Sequence, residues 1–101
     1  MSLNNRSLDV EAVCRLLADD ERQSIVKYLD GRDQVFIDEL VEEVGQEAQD
    51  DEFYVRLIHV HLPKLSEFDV VSYNPKQEII YPMEVDCVSE CLDVLKGQLQ
   101  S

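Results

Sequence analysis

Positive charge is what this chain has least of: 9 Lys and Arg stand against 22 Asp and Glu in 101 residues, a formal net charge of −13. That balance excludes the broad basic surface by which most non-specific nucleic-acid binders hold phosphate backbones. No apolar run approaches the ~18 residues a membrane span needs, and the N-terminus lacks an apolar signal core, so the expected setting is the cytoplasm. Only three Gly and three Pro are present, too few for a low-complexity or linker-rich chain, and no glycine-rich phosphate loop occurs. The three cysteines, Cys14, Cys87 and Cys91, form no CxxC pair, which removes the common zinc and dithiol motifs. No nucleophile motif or metal-ligand spacing accompanies the abundant acids. Catalysis, a cofactor and a metal are therefore not expected.

What is present is a hydrophobic content of 45% in a chain long enough for one modest core, so residues 1–101 read as a single domain. The acids are scattered over helical faces instead of being gathered in a tail. Three readings compete: an acidic interaction surface, a nucleic-acid mimic, and adaptation to a cytosol of very high salt. The last is favoured, because ~1 M salt screens carboxylate repulsion within ~3 Å and only Lys27, Lys64, Lys76 and Lys96 remain as lysines.

Periodicity divides the chain into short elements. Ser7 is placed to cap a first helix running to about Ala18, with Val10, Val13, Cys14 and Leu17 at helical spacing. Asp19 or Asp20 caps a second, with Ile25, Val26 and Leu29 inward and Gly31 as a left-handed stop. Val35-Phe36-Ile37 reads as a small strand. Asp38 is expected to cap a third helix with Leu40, Val41, Val44 and Ala48 inward and Glu39, Glu42, Glu43 and Glu47 outward, ending in a turn between Gly45 and Asp50. Asp50 or Asp51 then caps a long helix in which Pro63 predicts a kink or division near His59 to Leu62. Two apolar runs, DVVSY and EIIYP, flank the turn NPKQ and predict a hairpin. From Met83 onward, Val85, Val88, Leu92, Leu95 and Leu99 mark an amphipathic terminal helix.

The order helix, helix, strand, helix, helix, strand, strand, helix is that of a winged helix-turn-helix with an added helix at each end, an α+β and mainly helical fold. The blocks LLADDERQSIVKYL, FIDELVEEV and HVHLPKLSEFDVVSYNPKQEIIY make the chain resemble the ArsR/MarR-like winged helix-turn-helix regulators, and more closely the small acidic winged-helix domains of halophilic archaea. The resemblance implies a helix-turn-helix at about 38–67, a wing at about 70–82 and a C-terminal dimerisation helix at about 83–99. Where such families commonly place Gly before the wing, this chain has Glu67-Phe68-Asp69, and Asp69 is the residue able to take a left-handed turn there.

Residues 53 to 77 carry three bases, Arg56, Lys64 and Lys76, against two acids, Glu67 and Asp69. This sparing of one helix and hairpin points to duplex DNA as partner and to a homodimeric transcriptional regulator, the alternative being a winged-helix interaction module without DNA binding. At ~100° per residue, Val55, Ile58, Leu62 and Leu65 form the core side of the long helix, and Arg56, His59, Val60 and Lys64 lie on or beside the opposite face. Arg56 is expected to read guanine, His59 a base edge or phosphate, and Val60 a thymine methyl. Lys64 and the wing residue Lys76 are expected to meet phosphates. His59 and His61, two apart on a helix, point nearly 160° from each other and cannot chelate one ion; His61 is expected as a hydrogen-bonded structural residue at the core boundary. The cysteines are read as small packing residues. The apolar stripe of the last helix predicts a two-fold dimer with the first helix, through Val13, Leu17, Val88, Leu92, Leu95 and Leu99.

Overall fold

A computed structural model describes residues 10–48 and 52–100; the capping roles expected of Ser7, Asp50 and Asp51 lie outside them. The order is α1 (Val10–Leu16), α2 (Asp20–Leu29), β1 (Val35–Phe36), α3 (Ile37–Ala48), α4 (Phe53–Arg56), a π-turn (Leu57–His61), α5 (Leu62–Glu67), β2 (Val71–Asn74), β3 (Ile79–Pro82) and α6 (Val85–Gln100). The fold is α+β and mainly helical, with a three-stranded antiparallel sheet in the order β1-β3-β2. No helix among the described residues is long and apolar enough to cross a membrane.

Local chemistry sets the element ends. The Asp19 carboxylate accepts from the backbone N–H of Glu21 at 2.8 Å and of Arg22 at 3.2 Å, satisfying two of the orphan donors of α2. Gly31, with φ 85°, ends that helix region in the left-handed conformation. Asp69 takes φ 62° after α5, the position where a short polar side chain tolerates left-handed backbone. In the hairpin, Asn74 Oδ1 accepts from the N–H of Lys76 and Gln77 at 3.0 and 3.1 Å, a side-chain turn. Glu78, at φ 57°, then donates its N–H to the Asn74 carbonyl at 2.8 Å and closes the loop.

β1 passes directly into α3. Ile37 begins the helix instead of extending the strand, and its N–H donates to the Glu78 carbonyl at 2.9 Å. Asp38 consequently falls in the first turn, where its charge suits the helix dipole. α3 runs on through Gly45 and ends at Ala48, inside the segment expected to hold the turn. A Cβ added at Gly45 would meet the Phe53 ring at 3.2 Å. The glycine is what lets α4 come close enough for Phe53 to be buried.

The core gathers α1, α2, α3, α5, the inner sheet face and α6 around Ile25, Leu29, Leu40, Leu57, Leu65 and Ile80. Alternation along the strands puts Val35, Ile80 and Val71 inward. α6 packs on α2, tied at its rim by Ser89 Oγ donating to Asp30 at 2.9 Å and by Lys27 to Asp93 at 2.7 Å. Val13, Leu17, Val88 and Leu92 are all internal to this single-chain core. These four residues of the expected dimer contact are therefore occupied within the chain, where Val88 and Leu92 seat α6 on the core.

Candidate nucleic-acid interface

The long helix that the sequence predicts is divided where Pro63 predicts it. Proline has no N–H and cannot bond to the carbonyl one turn earlier. Just before it the Leu62 N–H donates to the Leu57 carbonyl, an i to i+5 bond that admits one extra residue. The extra residue turns the two halves relative to one another by about 100°. Phe53 and Leu57 face the core before the turn, and Leu62 and Leu65 after it. Val55, expected on the core side, is 52% exposed, because a straight helical wheel runs the first half out of phase with the second.

Beside the π-turn a polar network joins three helices. Arg22 is buried although charged. Its Nε donates to the Leu16 carbonyl at 2.8 Å, and a second nitrogen donates to the Arg15 carbonyl at 3.3 Å. Both carbonyls belong to the end of α1, where a cation offsets the negative end of the helix dipole. A third nitrogen lies 3.3 Å from His61 Nδ1. A guanidinium only donates, so Nδ1 must accept, and the ring proton resides on Nε2. Nε2 lies 2.9 Å from Glu21 Oε1 and donates to it. Arg56 closes the chain with a two-pronged contact to Glu21, at 2.8 and 2.5 Å.

These contacts hold the Glu21 carboxyl well below its ordinary value of 4.5, at about 2; the Arg56 hydrogen bond is the main cause, partial burial opposes it, and His61 adds to it. The lowered pKa fixes the sign of a pH effect. Stability contributed by ionised Glu21 is present above pH 4.5 and is lost as pH falls through about 2. Glu21→Gln removes this component. In urea melts, the stability advantage of the wild type over the variant should shrink steadily across that window; an advantage independent of pH would contradict the assignment.

Asp19, Glu21 and His61 each bring a ligand atom within 4.8 Å of the others, but the group does not suit a cation. Both Glu21 oxygens accept from Arg56, Asp19 caps α2, and two guanidinium groups adjoin the cluster. The network is an ion-pair node.

Of the residues expected to meet DNA, His59 and Lys64 are exposed, Val60 is 40% exposed, and Lys76 is exposed at the hairpin tip. Arg56 is different. Its side chain is 32% exposed and paired with Glu21, so contact with a guanine edge would require that pair to open. His61 is the hydrogen-bonded structural histidine that the sequence suggests. Glu21 and Arg22 were not singled out from the sequence. The available signal was Arg22 itself, which shares helical spacing with Ile25, Val26 and Leu29 and so fills an apolar slot with a charge. On α3, Glu42 and Glu43 are exposed, and Glu39 accepts from the Tyr28 hydroxyl.

The outward faces of α1 and α6 differ from the expected stripe. Val10 is 80% and Val94 59% exposed. Together with the three cysteines they line a groove of about 520 Å³ between the two helices. Leu95 is partly buried against the core, and the Leu99 side chain lies outside the described residues.

Residues 14–81 match the family described as "Domain of unknown function (DUF7344)". The matched stretch contains Glu21, Arg22, Arg56, His61 and the hairpin as far as Tyr81, and ends before α6. No curated protein and no solved structure matches the chain.

Proposed function

Since the chain belongs to the family Domain of unknown function (DUF7344), matched from the end of α1 as far as Tyr81 in β3, we propose that this segment is a winged helix-turn-helix that binds duplex DNA and regulates transcription. In this reading α3 is the positioning helix, the divided α4–α5 the recognition helix, and β2–β3 the wing. The sheet order β1-β3-β2 supports it, because it brings the strand before α3 to the base of the wing.

One observation carries the proposal. From Phe53 to Ser66 there is no acid in a chain of net charge −13, and the exposed groups of that stretch include His59, Val60 and Lys64. His59 and Val60 meet base edges, Lys64 and Lys76 meet phosphates, and the Arg56–Glu21 clamp sets the angle at which the helix is presented. Glu42 and Glu43 oppose the approach of a phosphate backbone, so binding belongs to a high-salt solution that screens them. The reading includes a homodimer, whose contact would lie outside Val13, Leu17, Val88 and Leu92, since these four are buried within the chain.

The test is selection from a random duplex pool in concentrated KCl. Lys64→Ala and Lys76→Ala should weaken all sequences alike, each lowering the salt exponent by about 0.9. His59→Ala should relax preference at one position, at a cost of about 1–3 kcal/mol. A folded preparation that enriches no sequence would overturn the proposal. The exposed apolar groups Tyr54, Val55 and Val60 would then argue for a protein-docking module.

A further inference from the structure

A second cavity, of about 500 Å³, lies where α2, α3 and α6 meet. Three of the chain's nine Lys and Arg stand on its wall: Lys27 from α2, Arg32 just beyond that helix, and Lys96 from α6. Asp30 and Glu43 stand there too. Among the described residues, none of the three cations is ion-paired with either acid. Lys27 reaches to Asp93, which is not on the wall, and Asp30 accepts from Ser89. Charges of both signs are thus held around one space without closing on each other.

Arg32 is the most constrained of the cations. Its Nε donates to the Tyr28 carbonyl at 2.7 Å, and its guanidinium carbon sits 4.1 Å from the centre of the Tyr28 ring. The hydrogen bond and the stacked ring fix the plane of the group. Its terminal nitrogens meet no acceptor among the described residues, and such an edge is a two-pronged donor for an oxyanion. Lys96 is exposed and has no carboxylate partner among the described residues. The Lys27–Asp93 pair is exposed and therefore weak, so Lys27 can leave it for a stronger acceptor.

Mutual repulsion opposes gathering three cations in one place. Asp30 and Glu43 offset part of it, yet positive charge still prevails on this wall in a chain of net charge −13. A carboxylate only accepts hydrogen bonds, so the two acids suit a ligand that also brings donors. We infer that this cavity binds a small dianion carrying hydroxyl groups, of the sugar-phosphate type. Its phosphate meets Arg32, Lys27 and Lys96, and its hydroxyls donate to Asp30 and Glu43. A free amino acid matches the wall less well, because its backbone carboxylate calls for one cation and not three. The site is independent of DNA binding, since it shares no residue with the His59, Val60, Lys64 and Lys76 set.

The experiment is calorimetric titration of the full chain with ribose 5-phosphate and glucose 6-phosphate, in KCl at which the chain is folded. Ribose, inorganic phosphate and glutamate serve as comparison ligands. The expected result is one site per chain for a sugar phosphate, tighter than for inorganic phosphate, with no binding of ribose and a ligand-dependent rise in melting temperature. Arg32→Ala and Lys96→Ala, both at exposed positions, should each weaken binding by roughly tenfold or more. Arg32→Lys should recover only part of the loss, because an ammonium lacks the fork. Arg15→Ala removes an equal charge from the exposed face of α1 and should bind as the wild type does. Glu43→Gln should narrow the preference for sugar phosphate over inorganic phosphate. Failure of both sugar phosphates to bind, equal affinity for inorganic phosphate, tighter binding of glutamate, or an equal loss in Arg15→Ala would each overturn the inference.

Discussion

His61→Ala is expected to destabilise the protein by about 2–4 kcal/mol, whereas His59→Ala, two residues away, should fall within about 0.5 kcal/mol of the wild type. His61 is 2% exposed and His59 is exposed. Removing the buried imidazole leaves a cavity and takes away the acceptor for one Arg22 nitrogen and the donor to Glu21. Arg22 is then a buried cation held by the two carbonyls at the end of α1 alone. His61→Gln should give an intermediate loss, because its amide donates to Glu21 but does not recreate the ring acceptor facing Arg22. Urea midpoints of the three variants provide the check. Equal effects at positions 59 and 61 would mean that the network contributes little.

Melting temperature is expected to climb with KCl up to molar concentrations. The net charge of −13 is spread over 101 residues, and exposed acids crowd α3 (Glu42, Glu43) and α6 (Asp86, Glu90, Asp93). Their repulsion is felt across ~30 Å at 0.01 M ionic strength and only ~3 Å at 1 M. Salt also weakens favourable pairs, but the exposed ones, Arg15–Glu11 and Lys27–Asp93, contribute only about 0–1 kcal/mol each. Repulsion therefore decides the sign. Each kcal/mol gained should raise the midpoint by about 4–8 °C in a domain of this size. A midpoint unchanged between dilute buffer and molar KCl would remove the high-salt reading and favour the nucleic-acid mimic.

What the sequence disclosed follows the range of the interactions concerned. The Asp19 cap, the Gly31 stop and the left-handed Asp69 are decided within a few residues, and the structure has them where local chemistry puts them. The disturbance near Pro63 was also legible, but not its form, and reading the helix as straight placed Val55 on the wrong side. The Glu21–Arg56–His61–Arg22 network joins residues 35 to 40 positions apart, and no periodicity reports such a pairing. The stripe on α6 was legible as apolar, but periodicity alone does not say against what it packs. In the structure Val88 and Leu92 of that stripe cover the core shared by α2 and the inner sheet face. The exposure of His59 and Lys64 was legible from local pattern, whereas the Arg56–Glu21 pair was not, because its partner is on another helix.

The π-turn has a consequence for how such a chain can change over generations. A continuous helix ties all its faces to one azimuth, so rotating it to suit a new partner disturbs every buried residue together. Here one extra residue at Leu57–His61 separates a half anchored by Phe53 and the Arg56–Glu21 clamp from a half anchored by Leu62 and Leu65. Exposed positions around Lys64 can change while Phe53 and the Arg56–Glu21 clamp keep the first half in register. What looks like a fault in the helix acts as a joint between two separately anchored halves.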